Sequence, residues 1–119
     1  MPAAPQKRRA ERAGRWAEWA AALFLMLKGY RIVARRHRTA AGELDLVAVR
    51  GRSLVFVEVK YRAQRDAAPF ALGPRQRDRL RRAAALYLAG QPRWSGRDPR
   101  FDVVLVQPRG LPQHIKNAW

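Results

Sequence analysis

The sequence predicts an α/β domain with elements in the order α-β-β-β-α-β and a mixed central sheet flanked by helices, and three observations predict it. An apolar period of helical spacing runs through the first quarter of the chain. Two Val- and Leu-rich runs separated by a short turn fill its middle, and a second helix bounded by Pro74 and Gly90 precedes another apolar run.

Residues 1–10 (MPAAPQKRRA) hold two prolines and a basic cluster without an apolar period, and read as a flexible basic arm. Residues 11–119 read as a single domain, since no internal repeat or long linker divides them. From about Glu11 to Lys28, the residues Trp16, Trp19, Ala20, Leu23, Phe24 and Leu27 recur at i, i+3, i+4 and i+7, with Gly29 placed to end the helix. That stripe is expected to face the core, which makes Trp16 and Trp19 core residues rather than base-stacking platforms.

Tyr30–Ala34 reads as a short strand and Arg35–Thr39 as a very basic connection. Glu43–Val49 and Leu54–Lys60 form a β-hairpin around a Gly-containing turn, and both faces are apolar enough to need cover on each side. Residues 61–73 are polar and irregular, a loop. The second helix runs from Pro74 to about Ala89, burying Leu80, Ala84, Tyr87 and Leu88 and turning Arg75, Arg77, Arg79, Arg81 and Arg82 outward. Phe101–Val106 is a further strand, and His114-Ile115 a short edge strand.

The chain has 119 residues, with 25 Lys and Arg against 9 Asp and Glu and a formal charge of +16. Hydrophobic residues make up 48 %, enough to build a core, so the charge lies on the surface and a polyanion, nucleic acid first, is the expected partner. Only Lys7, Lys28, Lys60 and Lys116 are lysines, and an Arg- and Ala-heavy chain also reflects the base composition of its genome. The absence of cysteine excludes disulfide frameworks, thiolate metal sites and cysteine nucleophiles, and makes the cytoplasm the simplest location. Lys7-Arg8-Arg9 followed by the apolar Trp19–Leu27 imitates a signal peptide, but nine residues are too few to span a bilayer and no small-residue cleavage site follows. No membrane association is expected.

The chemistry concentrates on the hairpin. A two-residue turn at Gly51-Arg52 sets Arg50 opposite Ser53, Val47 opposite Phe56, Asp45 opposite Glu58 and Glu43 opposite Lys60. Two carboxylates facing each other in an apolar sheet repel and lose hydration, unless a cation lies between them. A hard divalent ion, Mg2+ or Mn2+, takes such oxygen ligands and keeps waters of its own. Lys60, two residues from Glu58 on the same face, can then hold or deprotonate a bound water beside a phosphate. A three-residue turn would move the acids to opposite faces, so the pairing depends on that turn. Taken singly, Glu58-Val59-Lys60 is also an ordinary salt-bridged strand end.

The segments Gly42-Glu43-Leu44-Asp45-Leu46-Val47-Ala48, Val55–Arg62, Phe101-Asp102-Val103-Val104 and His114–Trp119 resemble the YraN-like family of predicted endonucleases, over nearly the whole chain from Gly14 onward. That family is similar to archaeal Holliday junction resolvases and to the PD-(D/E)XK, restriction-endonuclease-like nucleases. The resemblance implies a restriction-endonuclease-like core, Asp45 as the motif aspartate, Glu58 as the second metal ligand and Lys60 as the catalytic lysine. It also implies a glutamate on the first helix, where Glu18 stands, although such a residue is commonly just solvated. Glu43 belongs to the family's G-E-[IL]-D signature, as a supporting residue or a structural contact. Arg77 and Arg79 stand where lysine is commoner in such sequences.

The expected function is therefore a metal-dependent endonuclease acting on DNA by shape rather than base sequence, with branched or single-stranded DNA as substrate. Arg35, Arg36, Arg38 and Arg62, with Arg75, Arg77 and Arg79, are the expected phosphate contacts. The alternatives are a binding module without catalysis and an activity on RNA, whose phosphodiester centre is alike. Similar resolvases work as two-fold dimers, so a homodimer is a further expectation. His37 and His114 lack ligand spacing, the glycines form no phosphate-cradling motif, and Asp102 is expected to make a structural hydrogen bond.

Overall fold

The computed structural model describes residues 3–62 and 72–119, so the loop expected at 61–73 lies largely outside the described residues. The first helix, α1 (Ala3–Leu27), begins well before the apolar period does. It ends where Gly29 takes φ 90°, a left-handed conformation open to glycine, and the Tyr30 N–H folds back onto Leu25 O at 3.0 Å.

The strands β1 (Arg31–Thr39), β2 (Gly42–Arg50) and β3 (Ser53–Tyr61) form an antiparallel meander. The segment Arg35–Thr39, expected as a connection, is the second half of β1. Charged side chains do not prevent a strand when their backbone groups find a ladder, and here they pair with Gly42–Leu46 while Arg35, Arg36 and Arg38 stay exposed. The β1–β2 turn is closed by Thr39, whose hydroxyl donates to Gly42 O at 2.7 Å and accepts from the Ala41 and Gly42 N–H groups. Gly51 holds φ 58° in the β2–β3 turn, and the register is the one a two-residue turn requires, from Arg50 opposite Ser53 to Leu46 opposite Val57.

Helix α2 (Pro74–Ala89) carries the chain across to β4 (Asp98–Val106), which lies parallel to β3, and β5 (Gln113–Ile115) closes the edge antiparallel to β4. Among the described residues the five strands form one mixed sheet in the order β1-β2-β3-β4-β5. One face packs under α2 with Val47, Val49, Leu54, Phe56, Val103 and Tyr87; the other packs under α1 with Leu46, Ala48, Val55, Val57, Val104 and Val106. The expected α-β-β-β-α-β architecture with cover on both faces is present.

The buried face of the first helix also differs from the expected one. The face that α1 turns to the sheet is Ala17, Ala21, Ala22 and Leu25, whereas Trp16, Trp19, Leu23 and Leu27 are exposed. The helix is rotated because small side chains let its backbone approach a sheet face already covered with Leu and Val side chains, and indoles at the contact would hold it off.

Candidate functional site

Asp45, Glu58 and Lys60 come together where the β2–β3 ladder ends. Its last paired step is Leu46 with Val57; one residue further, the Val59 N–H donates to Asp45 Oδ2 at 2.9 Å instead of to a β2 carbonyl. The side-chain alternation of β2 breaks at the same level. Val47 and Val49 point to the α2 face and Leu46 and Ala48 to the α1 face, yet Leu44 also joins the α2 face. On β1 the residue that the register sets opposite Asp45 is Arg36, which sits at φ 49°, a conformation costing about 1–2 kcal/mol for a residue with a Cβ. Both strands therefore depart from regular geometry around one carboxylate.

Asp45 is half-buried, and Glu58 is 6 % exposed. Burial, followed by the negative charge of Glu58, pushes the Asp45 carboxyl up from the ordinary value to about 7; the nearby Glu18 charge adds to this and the Val59 hydrogen bond opposes it. Glu58 Oε1 lies 3.3 Å from Lys60 Nζ and accepts from Gln76 Nε2 at 3.2 Å. Asp45 and Glu58 line one narrow crevice with Leu80 of α2 and Trp119, whose indole N–H is buried without a partner. Nothing in the sequence marks Gln76 or Trp119 for this site, since a helix glutamine carries no spacing signal and a tryptophan near the end of the chain has no motif partner.

Glu18 stands at the edge of this group. Both its oxygens accept from Arg36 Nε, at 2.8 and 3.1 Å, which holds the Arg36 cation near Asp45 and raises the guanidinium's pKa. Glu43 is exposed and pairs with Arg38 across the β1–β2 hairpin at 3.8 Å, instead of meeting Lys60 as the extended register implied, because the ladder stops short of that step. The arginines divide by position. Arg35 and Arg38 are exposed on β1, Arg62 follows β3 with its N–H on Val106 O at 2.9 Å, and Arg75 and Arg79 are exposed on α2 beside Gln76, with Arg77 half-buried.

The donor set suits a hard cation, since two carboxylates of adjacent strands lie together with too little positive charge between them to hold Asp45 in the ordinary carboxylate range. Among the described residues no three His, Asp or Glu side chains gather into a ligand cluster, so the protein's share of such a site is the pair Asp45 and Glu58.

The other buried acid is structural. Asp102, fully buried, accepts from Arg100 at 2.7 and 2.9 Å, from the Asn117 N–H at 3.1 Å and contacts His114 Nε2 at 2.7 Å. Burial alone would raise its pKa, but hydrogen bonds from His114, Arg100 and the Asn117 N–H outweigh it and hold the carboxyl below the ordinary range. His114 Nδ1 meets Lys28 Nζ at 2.7 Å, and His37 packs its ring edge-on to Tyr87. Neither histidine belongs to the Asp45 group. Among the described residues no helix is long and apolar enough to cross a membrane.

Residues 17–106 match the uncharacterised protein family UPF0102. The UPF0102 protein Mmar10_3014 of Maricaulis maris is 52 % identical over 113 residues, 95 % of this chain and 89 % of the relative. A UPF0102 protein of Parvibaculum lavamentivorans is 56 % identical over 110 residues, 92 % of this chain and 83 % of the relative. The UPF0102 protein bll0669 of Bradyrhizobium diazoefficiens is 47 % identical over 117 residues, 98 % and 88 % of the two chains.

Proposed function

The chain belongs to the UPF0102 family, and from the geometry at the end of its β2–β3 ladder we propose that it is a metal-dependent endonuclease hydrolysing phosphodiester bonds in DNA. The observation that carries this reading is the juxtaposition of a buried carboxyl, Glu58, and a half-buried one, Asp45, with Lys60 in a chain of charge +16. Placing acids at the centre of the most apolar strands of a basic protein costs stability, and that cost has a purpose if the acids hold a cation against a polyanion.

Asp45 and Glu58 would hold Mg2+ or Mn2+. When bound, such an ion acts as a Lewis acid on the scissile phosphate and lowers the pKa of a coordinated water. Val59 and Gln76 aim the two carboxylates by hydrogen bonding. Lys60, whose side chain is 35 % exposed, reaches solvent beside them and can donate to the attacking water or a phosphate oxygen. Glu18 fixes the Arg36 guanidinium through its Nε, leaving the terminal N–H groups for a phosphate. Arg35, Arg38, Arg62, Arg75, Arg77 and Arg79 contact the flanking backbone, which carries no base sequence, so the reading is of DNA recognised by structure, branched or single-stranded.

The 3.3 Å contact of Lys60 with Glu58 also favours a second reading, a binding module in which the pair is only an ion pair. Cleavage of labelled four-way-junction, flap, single-stranded and duplex DNA, with Mg2+, Mn2+ or chelator, separates them. The nuclease reading expects metal-dependent cutting that Asp45→Ala and Lys60→Ala abolish while DNA binding persists. Equal binding by all three proteins with no cutting of any substrate leaves the binding module.

A further inference from the structure

The side chains that α1 leaves uncovered next to this site form an aromatic and cationic surface. Trp16, Trp19 and Tyr61 are 50 %, 58 % and 39 % exposed. They are held in fixed relation: Trp16 meets Tyr61 edge-on with ring centroids 6.1 Å apart, and the Arg35 guanidinium lies 3.9 Å from the Trp19 ring centroid. Three of the four have a chain neighbour in the site, Trp19 beside Glu18, Arg35 beside Arg36 and Tyr61 beside Lys60, with Tyr61 emerging on the α1 face of β3 and Lys60 on the other. We propose that Trp16, Trp19 and Tyr61, with Arg35, are a stacking platform for unpaired bases of single-stranded DNA leading to the phosphate at Lys60. The proposal rests on the nucleic-acid reading above and names its substrate class.

Two observations select this occupant. Indole and phenol faces gain free energy from any base, but only when the base is free of its own stack, so a platform of this kind discriminates single strands from duplex. The surrounding charge requires a polyanion: Arg15 and Arg35 are exposed at the patch in a chain of +16, and a second copy would bring the same cations against them. A nucleic-acid strand supplies apolar rings and negative charge together.

The test is binding in chelator, so that no cleavage is needed, of a labelled single-stranded DNA and a duplex hairpin of equal length to the intact protein, W16A/W19A and W16F/W19F. The expected result is single-strand affinity reduced about tenfold or more in the alanine variant and largely recovered in the phenylalanine variant. Duplex affinity and the slope of affinity against salt stay unchanged, because stacking releases no counterions. Unaltered single-strand binding by W16A/W19A, or an equal loss for duplex, overturns the proposal. So does sedimentation showing a dimer that W16A/W19A dissociates, which would assign the face to a second copy. Tighter binding of an RNA of the same sequence would overturn the choice of DNA. A protein that binds single strands through these residues and cuts nothing defeats the nuclease reading alone; one that cuts duplex equally well in all three forms defeats the platform alone.

Discussion

Asp45 combines burial, a like-charged neighbour and a backbone hydrogen bond, and the balance has a measurable sign. Its carboxyl titrates near 7 in the folded chain against the ordinary carboxylate value when unfolded, so between those values the folded state holds more protons. In chelator, this contribution to stability therefore falls as pH rises from about 4 to about 7, and the loss is complete above the folded pKa. Asp45→Asn keeps an acceptor for the Val59 N–H but carries no charge. It is expected to melt higher than the wild type at about pH 8, with a flatter pH profile, while Mg2+ raises the melting temperature of the wild type only. Asp102 shows the opposite design, a charge fully answered by its neighbours. Asp102→Ala strands the Arg100 cation and removes the partner of His114, at an expected cost of about 3–5 kcal/mol in urea unfolding.

Helix α1 makes the clearest case at the level of an element. Its Trp, Leu and Phe residues have helical period, but that period records two surfaces at once: an alanine face for the sheet and a large apolar face left open. Ala21→Leu, at a position with no exposure, is expected to destabilise by about 1–3 kcal/mol, because the sheet below it is filled. Trp19→Ala is expected to cost under about 1 kcal/mol, the scale of an exposed cation–π contact with Arg35. Chemical denaturation of the two variants checks the order, which is the reverse of what residue size suggests. The hairpin, by contrast, was legible once its turn was taken as two residues, and the observed register, from Arg50 opposite Ser53 to Leu46 opposite Val57, is the one that turn gives. Its final step was not legible, because the interruption of the ladder at Asp45 arises from contacts with β1 and with Val59, which spacing along one chain does not encode.

For the whole molecule the dominant quantity is the charge of +16. DNA affinity is expected to fall linearly in log–log terms with salt, by about 0.7 per phosphate contact for single strands and about 0.9 for duplex. Arg75→Ala with Arg79→Ala should lower that slope by about one contact's worth for each arginine that meets a phosphate, without altering the response to W16A/W19A, and a salt titration of both variants reads the two contributions separately. Arg79 also has a packing role, its side chain lying against Gly42, which sits at φ 141°.

By itself the sequence determined the fold class, the order of the elements and, given a two-residue turn, the register of the central hairpin, and it marked Asp45, Glu58 and Lys60 as candidates. These follow from local causes: period 2 or 3.6, a glycine where the turn needs one, and acids conspicuous within apolar strands. Tertiary structure alone decided which face of α1 is buried, the recruitment of Arg35–Thr39 into β1, the pairing of Glu18 with Arg36, and the arrival of Gln76 and Trp119 beside the carboxylates. Each of these depends on how closely two distant elements can approach. That is set by the volumes facing each other across the interface and by the backbone partners left available, neither of which a residue carries in its own neighbourhood of the chain.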